Sequence, residues 1–190
     1  MKKLRADDRP EIDPENPNQR RTIMFLTLQV LALVLVSVAM ALALAHALEL
    51  PGKLRLSKEA YLSTQQIYYP GFTIGGMVGE AGGLLTTLLL VLAMPAETAA
   101  FWLTLGALVV LLAMHAAYWV LTHPVNSFWL KDFKLKGAGG RFFLFDPLRR
   151  EAEARTQDWT VLRNRWELSH VLRAGLGLLG LMLLAAAVAL

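Results

Sequence analysis

The sequence predicts an all-α membrane protein, a four-helix transmembrane bundle, and three observations support this fold class. Of the 190 residues, 55% are apolar and the mean hydropathy is +0.44, more apolar than is usual for a soluble domain of this length. The apolar residues are clustered in long runs that alternate with strongly charged stretches. Four of the runs approach the ~20 residues that a helix needs to cross ~30 Å of hydrocarbon.

The first element is a polar segment followed by a long apolar run. Residues 1–21 carry Pro10, Pro14 and Pro17 among charged residues, so we expect a disordered N-terminal tail. The first span covers about 22–50. Arg20 and Arg21 before this run also fit a signal peptide, but the run is longer than the ~7–15 residues of a signal core. We therefore predict a retained helix and a single bundle domain over 22–190.

The remaining elements follow from breaks in the apolar pattern. Pro51 and Gly52 end the first helix, and a basic, aromatic loop leads to the second span at about 72–93. Residues 94–97 form a tight connection to the third span at about 98–121. A long, charged loop over 122–166 precedes the fourth span at about 167–190. This alternation places two large loops on one side of the membrane.

Basic residues are unequally divided between the two sides. Twelve Lys and Arg residues lie on the side of the large loops and six in the tail, which favours cytoplasmic loops. Arg20 and Arg21 lie beside the first span and argue for the opposite orientation. Aromatic residues mark the interface next to the large loops: Tyr68, Tyr69, Tyr118, Trp119 and Trp166. The expected location is a multi-pass position in a bacterial inner membrane.

Composition narrows the possible function. The chain has no cysteine, which excludes disulfides, zinc–thiolate sites, Cys-ligated iron–sulfur clusters and thiolate-ligated haem. The net charge of +4 does not indicate nucleic-acid binding, because basic residues that flank membrane spans contact anionic lipid headgroups. The lipid bilayer is the expected partner.

Ionisable residues inside the predicted spans are the most informative feature, because such groups are costly in hydrocarbon and normally face the bundle interior. At ~1.5 Å per residue, six of them fall in one layer roughly 5–15 Å from the interface next to the large loops. Two pairs, each spaced three residues apart, project from one face of their helices. The six are His46, Glu49, Glu80, His115, Glu167 and His170, and Arg173 lies close by in the fourth span.

Imidazole and carboxylate groups together suit iron, zinc, manganese or copper, so these six residues are candidate metal ligands. Glu167 and His170 match the Glu-x-x-His motif of di-iron bundles, whereas His46 and Glu49 are its reverse. Two histidines would alternatively hold a haem. We take Glu80, His115 and Arg173 as candidate catalytic residues. Two further hypotheses stay open: a structural ion-pair network, and a proton or ion pathway.

Glycines are concentrated in the first half of the second span. Gly75, Gly79 and Gly83 recur every four residues, a pattern that lets helices approach closely. We predict a packing role for this stripe, including a homo-oligomer formed through it.

Two segments of the second half resemble the anthrone-oxygenase-like membrane proteins, a family long catalogued as a domain of unknown function. The first segment is His123-Pro124-Val125-Asn126, after the third span. The second runs from Trp159 through Leu162-Arg163-Asn164-Arg165-Trp166-Glu167 to His170 and Arg173. The resemblance implies a small four-span membrane protein, some members of which oxidise anthrones to anthraquinones with dioxygen. The positions it implies are Pro124, Asn126, Arg165, Trp166, His170 and Arg173.

These residues leave three hypotheses for the function of the chain. The first is an oxidoreductase or oxygenase that holds a metal, a haem or a small apolar or aromatic substrate in the polar layer, where ionisable groups handle protons. The second is a non-enzymatic accessory or structural protein whose buried charges only stabilise the bundle. The third is a small transporter or proton path through Glu80 and His115.

Overall fold

The computed structural model describes residues 16–129 and 157–190, and these are helical with short connections. Four helices are long and apolar enough to cross a membrane, which confirms the all-α bundle of four candidate spans. The long helices are α1 (Pro17–Lys53), α3 (Gly71–Ala93), α4 (Ala99–Ala117) and α6 (Trp159–Val188). The short helix α2 (Lys58–Gln65) and a 3₁₀ turn (Gln66–Tyr68) connect α1 to α3.

The third span is not one regular helix. After α4 the chain forms a π-helix over Tyr118–Thr122 and then continues as α5 (His123–Trp129). A π-helix turn adds a residue to the helical repeat, and such turns are frequent at functional sites. Tyr118, Trp119 and Thr122 belong to this turn, and all three line an interior cavity.

The helix ends differ from several predicted bounds. Residues 17–21, which we predicted to be disordered, belong to α1, and the rest of the tail, 1–15, lies outside the described residues. Pro51 lies in the last turn of α1 instead of ending it. α6 begins eight residues before Glu167, where Asp158 caps it by accepting a hydrogen bond from the Thr160 N–H at 2.8 Å. Most of the predicted loop 122–166 lies outside the described residues.

The four spans alternate in direction. At one end of the bundle, Lys53 at the end of α1 contacts Glu167 near the start of α6. Tyr68, which precedes α3, contacts Glu49 of α1 at the same end. At the opposite end, Thr104 of α4 contacts the sulfur of Met94, 3.6 Å away, beyond the end of α3. A short connection over 94–97, as predicted, therefore joins α3 to the third span.

Small residues allow the helices to pack closely in the apolar core. α1 buries Ala32, Val36, Ala39, Ala43 and His46, spaced alternately four and three residues apart, which forms a continuous seam along one face. Because lipid is as apolar as a leucine side chain, close backbone approach rather than the hydrophobic effect drives this association. The core residues on the partner helices are Leu90, Ala107, Leu111, Met114, Ala174 and Leu184.

The glycine stripe packs inside the chain. A Cβ atom at Gly79 would come within 2.9 Å of the Ala39 backbone nitrogen, and one at Gly83 within 3.0 Å of Val36. At Gly75 it would come within 3.1 Å of Leu42. All three neighbours belong to α1, so the packing prediction is supported. The same contacts argue against a homo-oligomer through this stripe, because α1 already covers it.

Candidate functional site

A cavity of about 310 Å³ lies at the end of the bundle next to α2. Its walls come from α1, α2, α3, the third span and α6. Aromatic side chains form much of the lining, and polar side chains are set among them. The lining includes His46, Gln65, Tyr68, Phe72, Met77, Glu80, His115, Tyr118, Trp119, Asn126, Trp129, Trp166, His170 and Arg173.

This cavity changes the interpretation of the interfacial aromatic residues. The sequence predicts five aromatic residues at the interface next to the large loops, and all five line the cavity: Tyr68, Tyr69, Tyr118, Trp119 and Trp166. Tyr68 and Trp166 are buried. These rings are therefore part of an interior site as well.

Three predicted catalytic residues meet on one wall. The Arg173 guanidinium donates to Glu80 Oε2 at 2.5 Å, and His115 Nδ1 lies 2.8 Å from Glu80 Oε1. Glu80 and Arg173 are buried, whereas 38% of the His115 side chain is exposed. Because Arg173 neutralises Glu80, the carboxylate can remain charged inside the bundle.

Hydrogen bonds fix the tautomer of His115. The Trp119 indole N–H donates to His115 Nε2 at 2.9 Å, and an indole nitrogen cannot accept. Nε2 therefore carries the lone pair, and the ring proton lies on Nδ1, from which it is donated to Glu80. The result is a neutral imidazole oriented by a carboxylate, the arrangement that prepares a histidine to accept a proton.

A second polar cluster surrounds Lys53, which is only 3% exposed. Its ammonium lies 3.0 Å from Glu49, 3.5 Å from Glu167 and 3.2 Å from His46 Nδ1. The buried ammonium is therefore paired with two carboxylates and an imidazole. Lys53 thus joins the end of α1 to the start of α6.

Two tyrosines of the segment between α1 and α3 complete this cluster. Tyr61 donates to Glu167 at 2.8 Å and Tyr68 donates to Glu49 at 2.5 Å. Burial is the largest cause of a raised pKa at both phenols, and the acceptor carboxylates raise it further. Both tyrosines consequently stay protonated and act as donors throughout the physiological pH range.

The six predicted metal ligands do not form one centre. Within residues 16–129 and 157–190, no three His, Asp or Glu side chains come together as a metal site would require. Several of the lone pairs are also in use: Glu80 accepts from His115 and Arg173, and His115 Nε2 accepts from Trp119. His46 Nδ1 accepts from Lys53, so the proton of this ring is on Nε2, which cannot ligate a metal.

A haem held between His46 and His170 does not fit either. The rings of His46 and His170 are in edge contact, with centroids 4.3 Å apart. Axial ligation requires a porphyrin plane between the two imidazoles, and this contact leaves no space for one. The geometry therefore favours a site made of the protein's own proton-transferring groups.

Sequence reasoning missed several contributors to the site, among them Lys53, Tyr61, Gln65 and Trp129. Lys53 follows His46 by seven residues on the same seam of α1. Tyr61, Gln65 and Tyr68 have the spacing i, i+4, i+7, which is typical of one helical face. Both signals were available, but a basic segment next to a proline was interpreted as an exposed loop.

The positions implied by the family resemblance lie around the π-helix. Trp166 donates to Asn126 at 2.8 Å, Arg165 donates to the Val120 carbonyl at 2.6 Å, and Pro124 is buried. His170 and Arg173 line the cavity. These contacts join the third span to α6 beside the cavity.

Comparison of the chain with protein-family models, with curated proteins and with solved structures gave no match, so the resemblance stays a prediction.

Proposed function

We propose that this chain is a membrane-embedded oxidoreductase of the oxygenase class, which binds a small, largely apolar aromatic substrate in the cavity beside Glu80, His115 and Arg173. One observation carries the proposal: a cavity of about 310 Å³ with aromatic walls contains a neutral histidine that is oriented by a buried carboxylate. Binding sites for small molecules are typically apolar cavities with a few converging polar groups.

The cavity walls support a substrate that comes from the bilayer. Met77 lines the cavity, and 51% of this residue is exposed on the outer surface of α3. His115 is also partly exposed, although it lies within a span. We therefore propose that the cavity opens toward lipid between α3 and α4, where an apolar molecule dissolved in the membrane would enter.

His115 is the group we propose to accept a proton from the substrate at its Nε2 atom. In the structure this atom accepts a hydrogen bond from Trp119, so a substrate must displace the indole before it reaches the imidazole. Glu80 would stabilise the imidazolium that forms, and Arg173 keeps Glu80 ionised. A positioned base of this kind typically contributes about 10²–10⁴-fold to a reaction rate.

The reaction class rests on the family resemblance. An anthrone-type oxidation converts one ring CH₂ group to C=O, consumes one dioxygen as the oxidant and releases one water. His115 would remove the first proton from that CH₂ group, whose acidity is increased by the adjacent carbonyl and aromatic rings. A bacterial inner membrane is the location we propose for this chemistry.

The proposal is tested with protein purified into lipid nanodiscs and supplied with 2-hydroxyanthrone, an anthrone that carries a phenolic O–H, in air. We expect oxygen uptake and anthraquinone formation, both lowered at least 100-fold by His115→Gln. Leu112→Gln, three residues earlier on the lipid-facing surface of α4, is the matched control and should retain activity. Turnover that survives His115→Gln would contradict the role of His115, and no oxygen uptake by the folded wild-type protein would contradict the reaction class.

A structural or accessory role is the second candidate function, and the pairing of charges favours it. Arg173 neutralises Glu80, and the two carboxylates of Glu49 and Glu167 neutralise Lys53. Paired charges of this kind are what a stabilising ion-pair network consists of. This role predicts that His115→Gln changes stability or assembly, and that neither protein turns over anthrone.

A further inference from the structure

We propose that His46 and His170 together form a hydroxyl-binding site, in which His46 donates to and His170 accepts from one O–H group of the ligand. This inference rests on the proposed function because it specifies the polar group of the molecule bound in the same cavity. It gives these two histidines a role other than metal ligation.

The donor is His46, which is 4% exposed on the seam of α1. Lys53 approaches its Nδ1 atom to 3.2 Å. Lys53 also contacts two carboxylates and is thus an ammonium, which has hydrogens to donate and no lone pair. Nδ1 of His46 must accept, so the ring proton lies on Nε2.

The acceptor is His170, which is also 4% exposed. Its Nδ1 lies 2.8 Å from the backbone carbonyl of Trp166, one turn earlier on α6. A carbonyl oxygen can only accept, so Nδ1 carries the proton and Nε2 carries the lone pair. The two histidines therefore present opposite hydrogen-bonding groups at their Nε2 atoms.

The two rings are neighbours in the wall of one cavity. Their centroids are 4.3 Å apart, and both rings line the cavity. Neither Nε2 atom has a hydrogen-bond partner within residues 16–129 and 157–190. Phe72 packs 4.9 Å from His46 and Trp166 packs 4.1 Å from His170, so the polar pair is framed by aromatic rings.

A hydroxyl group matches this pair because its oxygen accepts while its hydrogen is donated. A carbonyl or ether oxygen would satisfy His46 and leave the His170 lone pair without a partner. Buried polar groups left unpaired lower affinity strongly, so sites of this kind reject analogues that lack the hydroxyl. The ligand class we infer is a planar apolar molecule with a phenolic or enolic O–H.

The test compares 1-naphthol with 1-fluoronaphthalene, which has the same rings and no O–H. Binding to protein in nanodiscs is measured by equilibrium dialysis, with empty nanodiscs correcting for partition into lipid. We expect wild-type protein to bind 1-naphthol at least tenfold more tightly than it binds 1-fluoronaphthalene, after the correction for lipid. His170→Leu and His46→Leu should reduce this ratio to about the value that empty nanodiscs give, while both variants still bind naphthalene.

His115→Gln separates this inference from the proposed function. We expect this variant to lose anthrone turnover and to keep the wild-type preference for 1-naphthol. A preference that persists when wild-type protein has no turnover would support the hydroxyl site and contradict the oxygenase. A wild-type ratio near that of empty nanodiscs would overturn the inference, since a tightly held water would then satisfy the pair. A preference that survives in both leucine variants would also overturn it, because another group would then bind the hydroxyl.

Discussion

At the scale of single residues, Lys53 joins two helices and contacts a histidine of the cavity. It contacts Glu49 in its own helix and Glu167 in the last one, and its contact with His46 sets the tautomer of a cavity histidine. A change at Lys53 should therefore act both on stability and on the cavity.

We expect Lys53→Met to destabilise the protein by about 3–5 kcal/mol, because Glu167 would remain buried without a countercharge. Lys53→Met combined with Glu167→Gln removes both charges and should recover most of the loss. Thermal unfolding in detergent, followed by tryptophan fluorescence, measures both effects. Equal loss in the single and double variants would contradict the ion pair as the cause.

Tyr61 makes stability depend on pH in the alkaline range. Burial beside Glu167 raises its folded-state pKa above the unfolded value of about 10. The folded protein thus holds this proton more tightly, so the related stability is fully present below pH ~10 and is lost as the pH rises further.

We accordingly expect the urea midpoint of wild-type protein to fall between pH 9 and pH 11, and to fall less in Tyr61→Phe, which cannot ionise. Urea denaturation of both proteins at several pH values in this range measures the two midpoints. An identical fall in both proteins would show that Tyr61 is not the titrating group. At pH 8 the variant should be somewhat less stable, since it lacks the hydrogen bond to Glu167.

Sequence reasoning succeeded for residues that are unusual wherever they occur in a span. Glu80, His115 and Arg173 were identified because charge in hydrocarbon needs a partner, and the structure brings them together. Lys53, Tyr61 and Gln65 were missed because the same residue types are ordinary beyond a predicted helix end. The hydrogen-bond directions that argue against a metal centre depend on tertiary contacts, which spacing alone cannot supply.

At the scale of helices, the contact between α1 and α3 depends on a backbone approach. The Ala39 nitrogen and the Leu35 carbonyl oxygen both lie about 3 Å from the place where a Cβ of residue 79 would stand. These are backbone atoms and cannot rotate away, so any larger residue must push the two helices apart.

We expect Gly79→Ala to destabilise the protein by roughly 1–3 kcal/mol through overpacking. Gly76→Ala is the matched control in the same helix, because a Cβ at that position meets no atom within 4 Å. Steric trapping or thermal unfolding in detergent compares the two variants. Similar losses in both would show that helix flexibility, and not the contact with α1, is responsible.

The helix bounds show where sequence patterns reach their limit. Apolar runs located all four spans, because hydrocarbon thickness dictates their length. They did not locate the start of α6, where a capped polar segment extends the helix beyond the apolar run. The π-helix also went unpredicted, since no residue type encodes it.

At the scale of the whole molecule, the absence of cysteine permits a direct test of topology. Single cysteines at Ser57 and Gln157 should react with a membrane-impermeant maleimide from the same side. Cysteines at Asn18 and Glu97 should react from the opposite side. All four positions are exposed. Labelling of intact cells also decides whether the large loops are cytoplasmic, and reaction of Ser57 and Glu97 from one side would contradict the four-span bundle.

The contact between Lys53 and Glu167 has a consequence for biosynthesis. Lys53 ends α1, and Glu167 belongs to α6, which is synthesised more than 100 residues later. Until α6 inserts, the ammonium at the end of α1 lacks its most deeply buried partner. The cavity therefore takes its final form only after α6 has packed against α1.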